Sequence, residues 1–405
     1  MRDIVLLGST GSIGTQALDI VARNPEEFRL RGLAAGGAHL ELLARQVCDF
    51  CVEVVAVATY CAHELRAIIE EKRQDFSQSV PMPTILEGPD AATELAGMFP
   101  DSVVLNGITG GVGLGPTLAA LQAGATLALA NKESLVVGGP LVRAALQRPG
   151  QIVPVDSEHS AIAQALRSGI HEKGLTSPRI TGRSEVAELV LTASGGPFRG
   201  RLRDELRHVT PAQALDHPTW NMGPVVTINS STLVNKGLEL IEAHLLFDVP
   251  AEHIQTVIHP QSIVHSMVTW NDGATIVQAS PPDMHLPIAL GMTWPQRLKE
   301  VEIPIRWDAK QSWNFEPVDH QTFPAIQLAR YAVSASATHP AVYNAANEVF
   351  VEAFLRGSLP YLAIVDLLGT VLEAYEGVQD PDIDDVMEAQ RWAVSYAQQQ
   401  ASHYA

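Results

Sequence analysis

A glycine loop between a short apolar run and a helix limits what this chain can fold into more than any other feature. Ile4–Leu7 reads as a strand, Thr15–Ala22 as a helix, and Gly8-Ser9-Thr10-Gly11-Ser12-Ile13-Gly14 joins them. A strand feeding a glycine-rich turn and then a helix leaves free backbone N–H groups at the helix start. A dinucleotide pyrophosphate binds at such a place. The spacing is G-x-x-G-x-x-G rather than G-x-G-x-x-G, so the position within a βαβ unit carries the reading more than the pattern does. The other reading is a tight turn whose glycines only permit close packing.

Further apolar runs follow at Arg29–Ala34, Val52–Val57, Ser102–Leu105 and Ala125–Ala130, with helical segments between them. That alternation predicts a parallel sheet covered by helices, an α/β Rossmann-like N-terminal domain over residues 1–150. A second, α+β domain is expected over 151–290. Its strands would be Ile152–Val155, Glu188–Ala193, Val225–Ile228, Ile254–Ile258 and Ile263–Thr269, with helices at Ser160–Arg167 and Thr232–Leu246. The Pro/Trp-rich stretch Met292–Trp313 lacks periodicity and reads as part of a linker over 291–319. Residues 320–405 carry four amphipathic segments, Pro324–Val333, Pro340–Arg356, Leu359–Tyr375 and Ile383–Gln398, expected to form a C-terminal helical bundle.

Net charge narrows the function. At −18 over 405 residues, the chain lacks the basic surface that a nucleic-acid binder or an anionic-membrane binder needs. No stretch reaches the ~18 apolar residues of a membrane helix. No targeting segment precedes the strand at Ile4, so a soluble cytoplasmic protein is expected. The three cysteines, Cys48, Cys51 and Cys61, suit a reducing compartment. With His63 they admit a zinc reading, but the spacing matches no familiar structural site, and three small buried thiols are expected instead.

Several clusters carry chemistry. After the second strand comes Ala35-Gly36-Gly37-Ala38-His39, where an NAD site would place an acid for the ribose 2′-hydroxyl. None is there, which leans toward NADPH, although no Arg or Lys stands there either. His39 faces either the 2′-phosphate or solvent. Asn131-Lys132-Glu133-Ser134 follows the strand Ala125–Ala130, at the end that faces the ligand crevice. It reads equally as a substrate and nicotinamide contact or as a polar helix cap.

In Val155-Asp156-Ser157-Glu158-His159, Asp156 and Glu158 lie two apart at a strand end, so both are expected on one face. Converging carboxylates repel unless a cation or proton intervenes, and oxygen ligands suit Mg²⁺ or Mn²⁺. The competing reading is a helix N-cap led by Asp or Ser. Asn235, Lys236 and Glu239 share a helix face behind Ser230, a good N-cap. Such a helix start suits phosphate, and Glu239 offers a third carboxylate; the other reading of that spacing is an exposed Lys236–Glu239 ion pair. Ser194-Gly195-Gly196 can form an anion-holding turn. His217-Pro218-Thr219-Trp220-Asn221-Met222-Gly223 reads as a loop, and the charged stretch Arg199–Arg207 before it as a lid.

Assembled in order, GSTGSIG (8–14), LANKES (129–134), PVDSEHSA (154–161), SGGPF (194–198), HPTWNMG (217–223), NSSTLVNKGLELIEAH (229–244), IHPQSIVHSMV (258–268) and NAANEV (344–349) resemble the 1-deoxy-D-xylulose 5-phosphate reductoisomerase family. The resemblance spans nearly the whole chain. It implies NADPH bound by Thr10, Gly11, Ser12, Ile13, Gly36, Asn131, Glu133 and Gly223. It implies Mn²⁺, Mg²⁺ or Co²⁺ held by Asp156, Glu158 and Glu239, and catalysis by these three with Lys132. The substrate would meet Lys132, Ser157, Glu158, Ser194, His217, Ser230, Asn235, Lys236 and Glu239. Its phosphate would fall to Ser194, Ser230, Asn235 and Lys236, under a flap carrying Trp220 and Met222. The activity implied is metal-assisted rearrangement of the phosphorylated keto sugar, then reduction by NADPH to 2-C-methyl-D-erythritol 4-phosphate, an isoprenoid precursor, in a homodimer. Relatives often carry Lys or Arg and then Asn where this chain has Gly37 and Ala38, and commonly Asp where it has Asn229.

Two other functions compete. A plain sugar-phosphate dehydrogenase would need no three-carboxylate site. A nucleotide-sensing or scaffolding protein would need none of Lys132, Asp156, Glu158, Lys236 and Glu239, all of which are present.

Overall fold

In chain order the secondary structure starts with β1 (Arg2–Leu7), α1 (Ser12–Arg23), β2 (Phe28–Ala35), α2 (Leu40–Phe50), β3 (Val54–Val57), α3 (Ala62–Lys72), β4 (Thr84–Glu87) and α4 (Ala91–Gly97). It continues with β5 (Val103–Asn106), α5 (Leu114–Ala123), β6 (Thr126–Leu129), α6 (Lys132–Ala145) and β7 (Ile152–Pro154). The computed structural model describes residues 1–76, 80–220 and 222–404. Contacts divide the chain into two compact units.

The first unit comprises Met1–Ser134, Ala144–Asp156 and Asp283–Glu302. Its sheet has the order β4-β3-β2-β1-β5-β6-β7, and every pairing is parallel. Strands such as Val-Val-Ala-Val in β3 are buried throughout. That is the continuous apolar pattern expected of strands covered on both faces. The order reverses at β1, so the crevice at the carboxyl ends of β1 and β5 is the ligand position in such a sheet. Ile4, Leu6, Leu33, Val55, Val57 and Leu105 form the core.

The second unit comprises Leu135–Arg143, Ser157–Pro282 and Ile303–Ala405. It opens with α7 (Ser157–Ala165), β8 (Val186–Ala193), α8 (Pro211–Leu215), α9 (Pro224–Ser231), α10 (Val234–Phe247), β9 (Ile254–Ile258), β10 (Val264–Trp270) and β11 (Thr275–Ala279). The chain then gives the first unit α11 (His285–Thr293) and returns with β12 (Glu316–Pro317). The four expected C-terminal helices follow as α12 (Ala325–Ala335), α13 (His339–Leu355), α14 (Ala363–Ala374) and α15 (Ile383–Ser402). The sheet runs β11-β10-β8-β9-β12, with only β8 and β9 parallel. Among the described residues no helix is long and apolar enough to cross a membrane.

Three local expectations fail. Val225–Ile228 is helix, not strand, because Gly223 and Pro224 start α9 with proline in its first turn, which outweighs four β-branched residues. Ser230 therefore lies inside α9 and caps nothing; Leu233, at φ 61°, precedes α10. Met292 and Thr293 belong to α11 rather than to an irregular linker. The cysteines also differ from expectation: Cys48 is buried, Cys51 exposed and Cys61 half-buried. No metal cluster among the described residues includes any of them.

Candidate functional site

In the first unit, the loop after β1 is built from backbone. Gly8 and Ser9 donate to Ala34 O at 2.8 and 2.9 Å, and Gly11 donates to Gly8 O at 3.0 Å. Gly11 precedes α1 with no side-chain cap, and Gly11 and Ser12 are exposed. The first-turn N–H groups are thus not spent on a capping side chain, and the helix dipole favours an anion there. Gln46, buried on α2, donates to Ser9 O at 3.0 Å and holds the loop from below.

At the end of β5, Asn106 donates to Gly113 O and Thr117 Oγ1 at 3.1 and 3.0 Å. Asn131 donates to Ile108 O and, at 3.0 Å, to Gly110 O. Its Oδ1 accepts from Ser134 N at 2.8 Å. The Asn131 amide is thus committed to shaping the 108–110 loop and the start of α6. Glu133 Oε2 lies 3.2 Å from the same amide. Lys132 Nζ pairs with Asp156 Oδ2 at 2.7 Å, each side chain 12% exposed.

Asp156 and Glu158 do not share a strand face. β7 ends at Pro154 and α7 begins at Ser157, so Glu158 stands in the first turn of a helix. The helix-start reading of Asp-Ser-Glu prevails over strand alternation. Covalent geometry still keeps the two Cα atoms within about 7.6 Å of each other.

In the second unit, α7 and α10 bring acids together. Glu158 and Glu239 offer carboxylate oxygens within 4.8 Å of one another. Lys236 Nζ lies between them, donating to Glu158 Oε1 at 2.7 Å and to Glu239 Oε2. Asn235 donates to Glu239 Oε1 and Ser157 to Glu158 Oε2. Lys236 is 3% exposed. Its burial acts to lower the ammonium pKa, but Glu158 and Glu239 together outweigh it and hold the pKa above the usual lysine value.

Below this cluster, His159 and Glu242 are fully buried. His159 Nε2 donates to Glu239 O at 2.9 Å and Nδ1 lies 2.9 Å from Glu242 Oε2. The imidazole thus pins α7 to α10 and holds Glu158 and Glu239 facing one another.

A second cluster centres on His217. Its Nδ1 accepts from Thr219 N and Trp220 N at 3.1 and 2.9 Å. The neutral ring therefore carries its proton on Nε2, which stands 3.1 Å from Ser194 Oγ and 3.2 Å from Ser230 Oγ. Burial lowers the pKa of His217, which favours that neutral form. Because the ring supplies this proton, the hydroxyl protons of Ser194 and Ser230 are left to donate outward. Gly195 and Gly196 take φ of 85° and 63°, which turns the chain tightly after β8. Trp220 is half-buried, its ring edge-on to His265 with centroids 6.1 Å apart. Met222 is half-buried and Gly223 exposed, while Asn221 lies outside the described residues.

The arrangement offers two chemistries: an anion-accepting helix start in one unit, and oxygen ligands beside hydroxyl and ammonium donors in the other. Family models agree. The 1-deoxy-D-xylulose 5-phosphate reductoisomerase model matches residues 4–139, the reductoisomerase C-terminal domain 152–247, and a further DXP reductoisomerase C-terminal domain 279–396. The reductoisomerase of Beutenbergia cavernae is 61% identical over 97% of this chain and 95% of its own length. The chain belongs to the 1-deoxy-D-xylulose 5-phosphate reductoisomerase family.

That of Streptomyces coelicolor is 52% identical over 100% and 94% of the two chains. Among solved structures, a reductoisomerase of this family in complex with NADPH, fosmidomycin and magnesium is similar with a TM-score of 0.87. It is 31% identical and covers 99% of this chain and 98% of its own. The Zymomonas mobilis reductoisomerase in complex with NADPH has a TM-score of 0.85 at 34% identity, covering the same shares.

Sequence reasoning missed residues behind the clusters of each unit: Gln46 and Asn106 in the first, Glu242 and the bracing role of His159 in the second. A signal existed for two of them. Gln46 interrupts the apolar stripe Leu43-Ala44-Val47 of α2, and Asn106 ends a strand that is otherwise apolar. Glu242 on the α10 core gave only a polar residue out of place. Tyr361, which donates to Ser231 O at 2.7 Å and braces the end of α9, gave none.

Proposed function

We propose that Asp156, Glu158 and Glu239 hold the divalent cation used in the reaction of this family, the NADPH-dependent conversion of 1-deoxy-D-xylulose 5-phosphate to 2-C-methyl-D-erythritol 4-phosphate. The observation that carries this reading is the convergence of Glu158 and Glu239 on Lys236. Two carboxylates and one ammonium leave the cluster net negative. Its donors are oxygens, the set that Mg²⁺ and Mn²⁺ take. When bound, the cation polarises the keto and hydroxyl oxygens of the substrate, and the dinucleotide supplies the hydride.

The chain's own groups bind and orient. Ser194 and Ser230 donate to the substrate phosphate, with the neutral His217 fixing both hydroxyls. Lys236 and Asn235 add charge and an amide at the start of α10. Lys132, held by Asp156, meets a substrate oxygen, and Ser157 stands beside Glu158. Trp220 and Met222 close over the substrate and exclude water, which strengthens each of these contacts. Thr10, Gly11, Ser12, Ile13, Gly36, Glu133 and Gly223 serve NADPH, and Asn131 serves it through the 108–110 loop that its amide shapes.

Division of labour follows similar lines: 1–150 for the dinucleotide, 151–290 for catalysis and metal, the part of 291–319 beyond α11 as linker and 320–405 as helical bundle. A homodimer is supported by the edge strand β11, where Ile276 and Val277 are exposed. An uncovered apolar edge invites pairing with a second copy. The acidic charge and three free cysteines support a cytoplasmic location.

The test is NADPH oxidation in the presence of the deoxyxylulose phosphate. Turnover is expected with Mg²⁺ or Mn²⁺, lost on chelation and restored by the metal. Full activity after chelation and in Glu158→Gln would instead make the chain a plain dehydrogenase. Light scattering of the purified chain tests the dimer.

A further inference from the structure

β2 and β3 run parallel, with Ala35 opposite Val57 at their carboxyl ends. Gly37 and Thr59 each lie two residues further on, and they remain side by side. Gly37 has φ of +100°, and a Cβ built on it would fall 2.3 Å from Thr59 Oγ1 and 3.2 Å from Val57 Cγ2. Residue 37 is therefore glycine for two independent reasons, backbone conformation and the hydroxyl beside it. Gly37 itself puts no side chain between the end of β2 and Thr59.

In a sheet of this order the adenosine ribose lies over the end of β2. From Gly36 to Leu40 there is no acid to accept from a ribose 2′-hydroxyl and no Lys or Arg to pair with a 2′-phosphate. Glu41, next in sequence, pairs with Lys72 at 2.6 Å, and Glu87, opposite Val57 on β4, accepts from Ala62 N at 2.8 Å. Thr59 is exposed, and among the described residues its hydroxyl has one weak neighbour, Cys61 Sγ at 3.2 Å. A hydroxyl can serve a sulfur and still donate elsewhere.

We propose that Thr59 is the side chain that distinguishes NADPH from NADH in this enzyme, its hydroxyl donating to the 2′-phosphate in the space Gly37 leaves open. The inference rests on the reading that the dinucleotide lies on the loop after β1. The phosphate is then read by a neutral donor rather than a cation, so preference for NADPH depends on one hydrogen bond to a charged group.

Calorimetric titration of the full chain with NADPH and, separately, NADH tests this. Thr59→Val, which removes the hydroxyl at nearly constant shape, is expected to weaken NADPH binding about tenfold or more and leave NADH binding unchanged. Thr59→Ser is expected to restore the NADPH affinity. The inference fails if Thr59→Val changes both affinities equally or neither. It also fails if the melting temperature and both affinities fall together, which would make the Thr59–Cys61 contact purely structural. If the unmutated chain binds neither nucleotide, the loop reading falls and the inference goes with it.

Discussion

At Gly8–Gly14 the chain offers an anion little more than backbone: uncapped N–H groups on a helix start, set by glycines, with no charged side chain in the loop. At Lys236 it offers side chains that oppose one another, an ammonium 3% exposed between two carboxylates. Removing one partner from a buried charged set costs far more than the set contributes, because the charge left behind has lost both water and partner. The loop carries no such liability. Its risk is steric, since its function depends on how closely the backbone can approach.

The largest effect should come from the charged cluster. Glu239→Gln removes a carboxylate from the proposed metal set and one partner from Lys236. It is expected to lower kcat/KM by about a thousandfold or more and Mn²⁺ affinity by at least about a hundredfold, since losses beyond the ligand shell already cost ten- to a hundredfold. Steady-state kinetics and metal titration check both. Near-normal metal binding would remove Glu239 from the ligand set and leave the two regions alike in what a substitution costs.

Next in size is a pH effect confined to the second unit. His265 is 5% exposed, and burial drops its pKa from 6.5 to about 4. Its folded-state pKa lies below the unfolded value, so the unfolded chain binds the extra proton first. The neutral ring's contribution is complete above pH 6.5 and lost as pH falls from 6.5 toward 4. The total at stake is about 3 kcal/mol. Urea midpoints between pH 7 and 4.5 should fall for the wild type and fall less for His265→Asn. Parallel curves for the two proteins would show that other groups set the acid limit.

How much of this was legible beforehand follows the same contrast. The parallel sheet, the glycine loop and the four C-terminal helices were legible because each depends on local pattern: buried runs, a turn at a strand end, a period of 3.6. Lys236 and Glu239 sharing a face was legible from i, i+3 spacing. The reason Glu158 approaches them was not. The strand rule placed it beside Asp156, whereas a helix turn presents it and His159 braces that helix against α10. Val225 and Val226 suggest a strand where α9 stands; the decisive residues are Gly223 and Pro224 before them. The exchange of α11 between units was invisible, because nothing in residues 283–302 announces which core will bury them.

The loop itself can be dissected with two alanines, and here the effects are smallest. A Cβ on Gly14 would fall 2.2 Å from Gly8 O and 2.5 Å from Ser9 Cα, backbone atoms that cannot swing aside. Gly14→Ala must therefore displace α1 from the β1 turn. A loss of about 1–3 kcal/mol in stability is expected, with NADPH binding impaired as a consequence. A Cβ on Gly11 meets only Gly8 O, at 3.3 Å, which a shift of a few tenths of an ångström relieves. Gly11→Ala should fold within about 0.5 kcal/mol of the wild type yet bind NADPH about tenfold more weakly, since its methyl group stands where the pyrophosphate approaches. Melting temperature and nucleotide titration on the same two variants separate packing from approach. If Gly11→Ala loses stability as Gly14→Ala does, the loop is a packing device throughout. If it loses neither stability nor affinity, the dinucleotide does not pass over Gly11.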